Sequence, residues 1–241
     1  MSKILIIVEG PKTEVALMNK LLGIYGISED HELYSYNTNI YELYSRLPDD
    51  PDDYQYIDLL QILKDREHEP DRLALLNQNY SDIIMIFDFD PQDPQFSPEK
   101  IRRMTGYFVE STDMGKLYLN YPMVESFYHM KSIPDSDYDT YFTTMDVLRN
   151  KEFKCSVGQI CRDGDYRKFA ADRDECNTVI KQNLNKARML TGVDSETPSE
   201  LQILEEELKY LKNDRISVLN TCVFYIVDYN GHLILESDSV N

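Results

Sequence analysis

The stretch Ile4-Leu5-Ile6-Ile7-Val8-Glu9-Gly10-Pro11 runs through five apolar residues and then stops at an acid, a glycine and a proline. A short apolar run rich in β-branched residues and closed by turn formers reads as a buried strand. Pro11 suits the first turn of a following helix, where a missing N–H costs nothing. Val15, Met18, Leu21, Leu22 and Tyr25 then recur at helical spacing and give that helix one face to lay on a sheet. The unit is strand, tight turn, helix.

A second run, Asp82-Ile83-Ile84-Met85-Ile86-Phe87-Asp88-Phe89-Asp90, stays apolar up to its closing acids. Continuous hydrophobicity of this kind marks a strand buried on both faces of a parallel sheet. Between the two runs the pattern predicts a short strand at 33–36 and a helix at 40–47. The acidic, proline-containing run 48–53 reads as an exposed loop, and helices at 56–66 and 70–78 complete an insertion over 48–80. A helix at 97–108, a strand at 116–120 and a helix at 122–130 follow. This alternation predicts an α/β fold, a compact parallel sheet flanked by helices. Beyond residue 138 the strand signals largely vanish: 165–190 and 198–212 read as helices joined by the polar linker 191–197. The segment 218–229 is apolar but too short for periodicity to separate helix from strand. The expected organisation is a domain at 1–133 and a mainly α-helical extension at 134–241 packed on it.

Composition narrows the function. In 241 residues, 42% are hydrophobic and 28% charged, which excludes collagen-like, low-complexity and disordered classes. No apolar run approaches the roughly 20 residues that cross a bilayer, and the first residues lack the features of a secretory signal, so a cytoplasmic protein with no membrane association is expected. Four cysteines without a C-x-x-C pair and four scattered histidines argue against zinc and disulfides. Forty-three acids against 25 bases give a net charge of −18, opposite in sign to the footprint of an autonomous nucleic-acid binder.

The acids at the strand ends carry the chemistry. Glu9 follows the first strand directly, and Asp88 and Asp90, two apart, project to one side of an extended chain. Were the two strands neighbours in a parallel sheet, the three acids would meet at its carboxyl edge, where open α/β sheets place their ligands. Carboxylates so close raise one another's pKa, and a bound divalent cation relieves this; donors that are all oxygen suit Mg²⁺ or Mn²⁺. Taken singly, Asp88 and Asp90 are ordinary strand-end and turn residues, and it is their combination with Glu9 that favours a metal. Glu14 lies in the first helical turn, where the helix dipole favours a carboxylate in any protein. A close turn at Gly10 would also bring it back toward Glu9. Asp93 reads equally as a ligand or a loop residue.

The strings Ile6-Ile7-Val8-Glu9-Gly10-Pro11-Lys12-Thr13-Glu14 and Ile86-Phe87-Asp88-Phe89-Asp90 resemble the glutamate and Asp-x-Asp motifs of the TOPRIM fold. TOPRIM domains occur in topoisomerases, bacterial primases, ribonuclease M5 and the overcoming-lysogenisation-defect (OLD) nucleases. The resemblance implies a Mg²⁺-binding domain for phosphodiester chemistry, with Glu9, Asp88 and Asp90 as metal ligands and Glu14 as the extra acid of nuclease-like members. Leu119-Asn120-Tyr121-Pro122-Met123-Val124-Glu125-Ser126-Phe127 resembles the Pro-x-x-Glu segment of RloB-like defence proteins, which adds Glu125. These motifs cover about the first 130 residues. A topoisomerase tyrosine motif and the ATPase signature Gly-x-x-x-x-Gly-Lys are both missing from the chain, so it resembles a stand-alone TOPRIM protein with a helical extension, the pattern of small phage-defence effectors.

The expected activity is therefore Mg²⁺- or Mn²⁺-dependent cleavage of DNA or RNA at Glu9, Glu14, Asp88, Asp90 and Glu125. The net charge makes an accessory protein an expected partner, and a homo-oligomer is compatible with the reading. Lys131, Arg167 and Lys168 are candidates to steady the leaving oxygen, although Arg162, Arg167, Lys168 and Arg173 read better as a solvated helix face. His129, four residues after Glu125, would share a helical face with it as base or ligand, or would simply be a buried histidine. The 18 tyrosines suit base stacking or, more commonly, packing. Two readings of other classes compete: an acidic, non-catalytic interaction module that mimics nucleic acid, and a receiver-like signalling domain. The receiver fits less well because its acid pair belongs after the first strand.

Overall fold

In the computed structural model, which describes residues 3–48, 50–112, 114–162, 164–194 and 196–235, the opening run forms β1 (Lys3–Val8). Its last four residues are buried. Helix α1 (Thr13–Tyr25) follows and ends at Gly26, whose left-handed φ of 72° lets its N–H reach back to the final turn. Strand β2 (His31–Ser35) leads into α2 (Ile40–Tyr44), where the Asn39 side chain accepts from the Glu42 N–H as a cap. Asp58 caps α3 (Leu59–Lys64) in the same way, and α4 (Pro70–Leu76) begins on its proline. Then come β3 (Tyr80–Asp88), α5 (Pro98–Tyr107) and β4 (Lys116–Asn120). The four strands form one parallel sheet in the order β2-β1-β3-β4, with Val8 opposite Ser35 on one side and Ile86 on the other.

Contacts divide the chain into two units, 1–87 with 97–118 and 88–96 with 119–241. The second unit holds α6 (Met145–Arg149), α7 (Phe153–Ile160), α8 (Arg173–Thr191), α9 (Glu200–Leu211) and α10 (Phe224–Leu235). It also holds a two-stranded antiparallel ribbon of β5 (Phe142–Thr143) and β6 (Ile216–Ser217). Among the described residues no helix is long and apolar enough to cross a membrane.

Several elements differ from the sequence pattern for local reasons. Residues 122–130 form no α-helix; after a cis Tyr121–Pro122 peptide the chain makes a 3-10 helix at Val124–Tyr128, and its first N–H is taken by the Asp88 carboxylate. Residues 51–56 form a 3-10 helix over the end of the expected loop, residue 49 of that loop lies outside the described residues, and the helix expected at 56–66 is reduced to Leu59–Lys64 because Asp58 caps it. The expected helix at 165–190 starts only at Arg173, because Asp172 caps it by accepting from the Glu175 N–H. The ambiguous 218–229 begins as extended chain with an isolated β-bridge at Leu219 and ends in α10. Leu219 exchanges backbone hydrogen bonds with Tyr121, and the Thr221 hydroxyl and Cys222 N–H bond to Leu119 and Asn120. The helix begins only after these bonds are made.

The second unit fully buries Lys186 and Glu207. Lys186 Nζ donates to the carbonyls of Tyr138 (2.9 Å) and Tyr141 (2.7 Å) and lies over the rings of Tyr138 and Phe142. Glu207, also fully buried, accepts from the Ser217 N–H at 3.0 Å, while its Oε1 has no hydrogen-bond partner. Burial disfavours both charges, pushing Glu207 up to about 7 and Lys186 down to about 7.

Candidate metal centre

The strand order sets the site. The chain leaves β1 toward β2 and leaves the neighbouring β3 toward β4, so the connections diverge from two adjacent strands. Such a switch point opens a crevice beyond the carboxyl ends. Glu9 sits there with its backbone held on both sides: its N–H donates to Ile86 O at 3.2 Å and its carbonyl accepts from Asn37 N–H at 2.8 Å. Asp88 is the last residue of β3, and Asp90 follows at a left-handed φ of 39°. Glu9, Asp88 and Asp90 each offer a carboxylate oxygen, and these oxygens lie within 4.8 Å of one another. Two ligand atoms on opposite sides of a Mg²⁺ ion are about 4 Å apart, so the three acids are near the span that one ion needs.

Backbone and amide donors orient Asp88, and an amide orients Asp90. Asp88, 5% exposed, accepts at Oδ1 from the Val124 N–H (2.8 Å) and the Asn120 amide (3.4 Å). Asp90 accepts from the Gln92 amide at 2.9 Å, and its own N–H donates to Pro122 O. Burial pushes the Asp90 carboxyl up to about 6; the Gln92 hydrogen bond and Lys154 pull against this, while Asp93 and Glu125 push further.

Glu125 stands in the 3-10 helix, 3% exposed, with Oε1 2.8 Å from Lys154 Nζ. Its Oε2 is buried and has no hydrogen-bond partner. A carboxylate oxygen withdrawn from water without a partner is costly, and a cation beside it would remove the cost. Together with an all-oxygen donor set, that orphaned atom fits a hard divalent ion. Glu14 is buried in the first turn of α1 and lies outside the group of three. Its carboxylate folds over Gly10, where an added Cβ would stand 2.9 Å from Oε2.

The basic residues are placed differently from the sequence reading. Lys131 pairs with Asp137 and lies over Tyr141, and Arg167 holds both oxygens of Asp165. Lys168 is exposed, and Arg162 pairs with both oxygens of Glu175. Lys154 on α7 stands beside Glu125 and acts on Asp90, and no motif marks it because only folding brings it there. Asp93 is a turn residue whose carboxylate accepts from the Gln95 N–H. His129 shares no α-helical face with Glu125. It stacks on Phe153 at 5.6 Å, and burial lowers it to about 4, which keeps the imidazole neutral near pH 7. No protein-family profile, curated protein or solved structure matches the chain.

Proposed function

We propose that this chain is a divalent-metal-dependent nuclease with a TOPRIM-like catalytic domain, an effector of bacterial anti-phage defence that works with an accessory protein. The observation that carries the reading is the approach of Glu9, Asp88 and Asp90 within 4.8 Å at the switch point of the sheet. Those three would hold Mg²⁺ or Mn²⁺, with Glu125 and Glu14 beside them. The ion would supply Lewis acidity to a phosphodiester. Lys154, paired with Glu125, would donate a hydrogen bond to a phosphate oxygen of the substrate. Asn120 and the Val124 N–H hold Asp88 in one orientation. The defence assignment rests on the resemblance of 119–127, and the accessory protein on the net charge of −18.

Two measurements test this. Purified full chain should cut labelled DNA or RNA in Mg²⁺ or Mn²⁺ and lose all cutting in EDTA. Independently of any partner, Mn²⁺ should bind in calorimetry and raise the thermal midpoint. A chain with neither cutting nor divalent-ion affinity would be the acidic, non-catalytic module instead.

Gly10→Ala probes Glu14. The new methyl meets only the end of a flexible side chain, so stability should change by less than about 1 kcal/mol while the Glu14 carboxylate is displaced. Mn²⁺ affinity should fall several-fold in calorimetry. An unchanged affinity would remove Glu14 from the site.

A further inference from the structure

We propose that the cleft beyond the end of β2, beside Glu9, binds a phosphodiester of the nucleic-acid strand held at the acids. The proposal rests on the nuclease reading and extends it to how an acidic protein grips a polyanion. The cleft, of about 240 Å³, is lined by Tyr34, Tyr36, Asn37, Arg66, Glu67, Glu69 and Arg72. Tyr34 and Tyr36 are two residues apart on extended chain, so both rings face the same way. Arg72 lies over the first ring and Arg66 over the second, each 4.4 Å from the centroid. Stacking of this kind holds a guanidinium plane in place before a ligand arrives.

Formal charge in the cleft balances, but hydrogen-bonding capacity does not. Glu67 Oε2 accepts from Arg72 Nε (2.6 Å) and the Tyr34 hydroxyl (2.8 Å), and Oε1 accepts from the N–H groups of His68 and Glu69. These four bonds hold the Glu67 carboxyl at about 2 despite the opposing effect of burial. Its acceptors are spent inside the protein. The donors are not: Arg66 uses one N–H, on Tyr36 O at 2.6 Å, and Arg72 adds only one bond, to Ser35 O at 2.5 Å. The Asn37 side chain accepts from the Ser35 hydroxyl through Oδ1, which leaves its amide N–H groups as donors. Two anchored guanidiniums and an amide with donors to spare match the oxygens of a phosphate. The Asn37 N–H bond to Glu9 O places this cluster next to the acid at the end of β1. Exposed Glu69 at the rim is the one lining carboxylate outside the network.

The test is fluorescence anisotropy of a labelled 20-nucleotide strand with full chain in EDTA, over 50 to 200 mM salt, for wild type, R66Q, R66K, N37G and R149Q. Asn37 has a left-handed φ of 62°, so glycine removes the side chain without straining the backbone. Arg149 is an exposed control paired with Asp146. R66Q should bind about 10-fold more weakly, with the salt slope reduced by about one. R66K should fall between R66Q and wild type, N37G should weaken binding several-fold, and R149Q should match wild type. Thermal midpoints will show that the variants fold. A well-folded R66Q with wild-type affinity and slope, or wild-type chain that binds no strand, would overturn the proposal. So would inorganic phosphate shifting the Arg66 Nε–H resonance when the strand does not, because that describes a site for free phosphate. Arg66-dependent binding by a chain with neither cutting nor divalent-ion affinity would remove the nuclease reading and leave the cleft standing.

Discussion

Asp88→Asn should reduce phosphodiester cleavage by about 1,000-fold or more while leaving the thermal midpoint unchanged or higher. The amide keeps the shape of the side chain, and its oxygen can still accept from the Val124 N–H. What it loses is the anionic oxygen that a divalent ion requires, and a missing ligand acts on transition-state charge directly. Stability should not suffer, because three carboxylates within 4.8 Å repel one another when no cation is bound. The same substitution should abolish the rise in thermal midpoint on adding Mn²⁺, which separates lost ligation from misfolding. Glu9→Gln should behave alike, since it removes the corresponding oxygen from the neighbouring strand. An Asp88→Asn chain that cuts at the wild-type rate would end the metal-centre reading.

Glu207→Gln should stabilise the protein relative to wild type by about 3 kcal/mol more at pH 8 than at pH 4. Burial raises the folded-state carboxyl from 4.5 to about 7. Between those values the folded chain binds more protons than the unfolded one, so wild-type stability falls as pH rises through this window. Glutamine has no such dependence and can still accept the Ser217 N–H. Lys186 acts in the opposite sense. Its folded pKa, lowered by burial from 10.5 to about 7, means that the unfolded chain holds more protons from there upward and that stability rises with pH. Wild type should therefore be least stable near pH 7 as far as these two groups contribute, and Glu207→Gln should lose the acid-side limb of that minimum. Urea denaturation at pH 4, 7 and 9 reads both limbs. Equal pH profiles for the two proteins would mean that Glu207 titrates normally.

The two central strands and their closing acids were legible from the chain because each signal is local. A run such as Ile83-Ile84-Met85-Ile86-Phe87 has no way to hide from water except as a buried element, and an acid after it must lie at that element's end. The start of α2 at Ile40 is local in the same sense, since the Asn39 side chain bonds three residues ahead, whereas the helix expected from residue 56 begins only at Leu59, after its cap Asp58. Adjacency is another matter. Whether β1 pairs with β3, and so whether Glu9 meets Asp88, depends on strand order, which no stretch of either strand encodes. The 3-10 helix at Val124–Tyr128 starts where the Val124 N–H bonds to the Asp88 carboxylate at the end of β3, a competitor that helical periodicity does not register.

By itself, then, the sequence determined an α/β fold and which acids end its inner strands, because burial and backbone geometry act over a few residues. Only the tertiary structure decided that Lys154 stands against Glu125, that Arg66 and Arg72 lie over Tyr36 and Tyr34, and that Lys186 is buried with Glu207. Charges and rings choose such partners by proximity after the chain has packed, and proximity between distant segments is set by the fold as a whole.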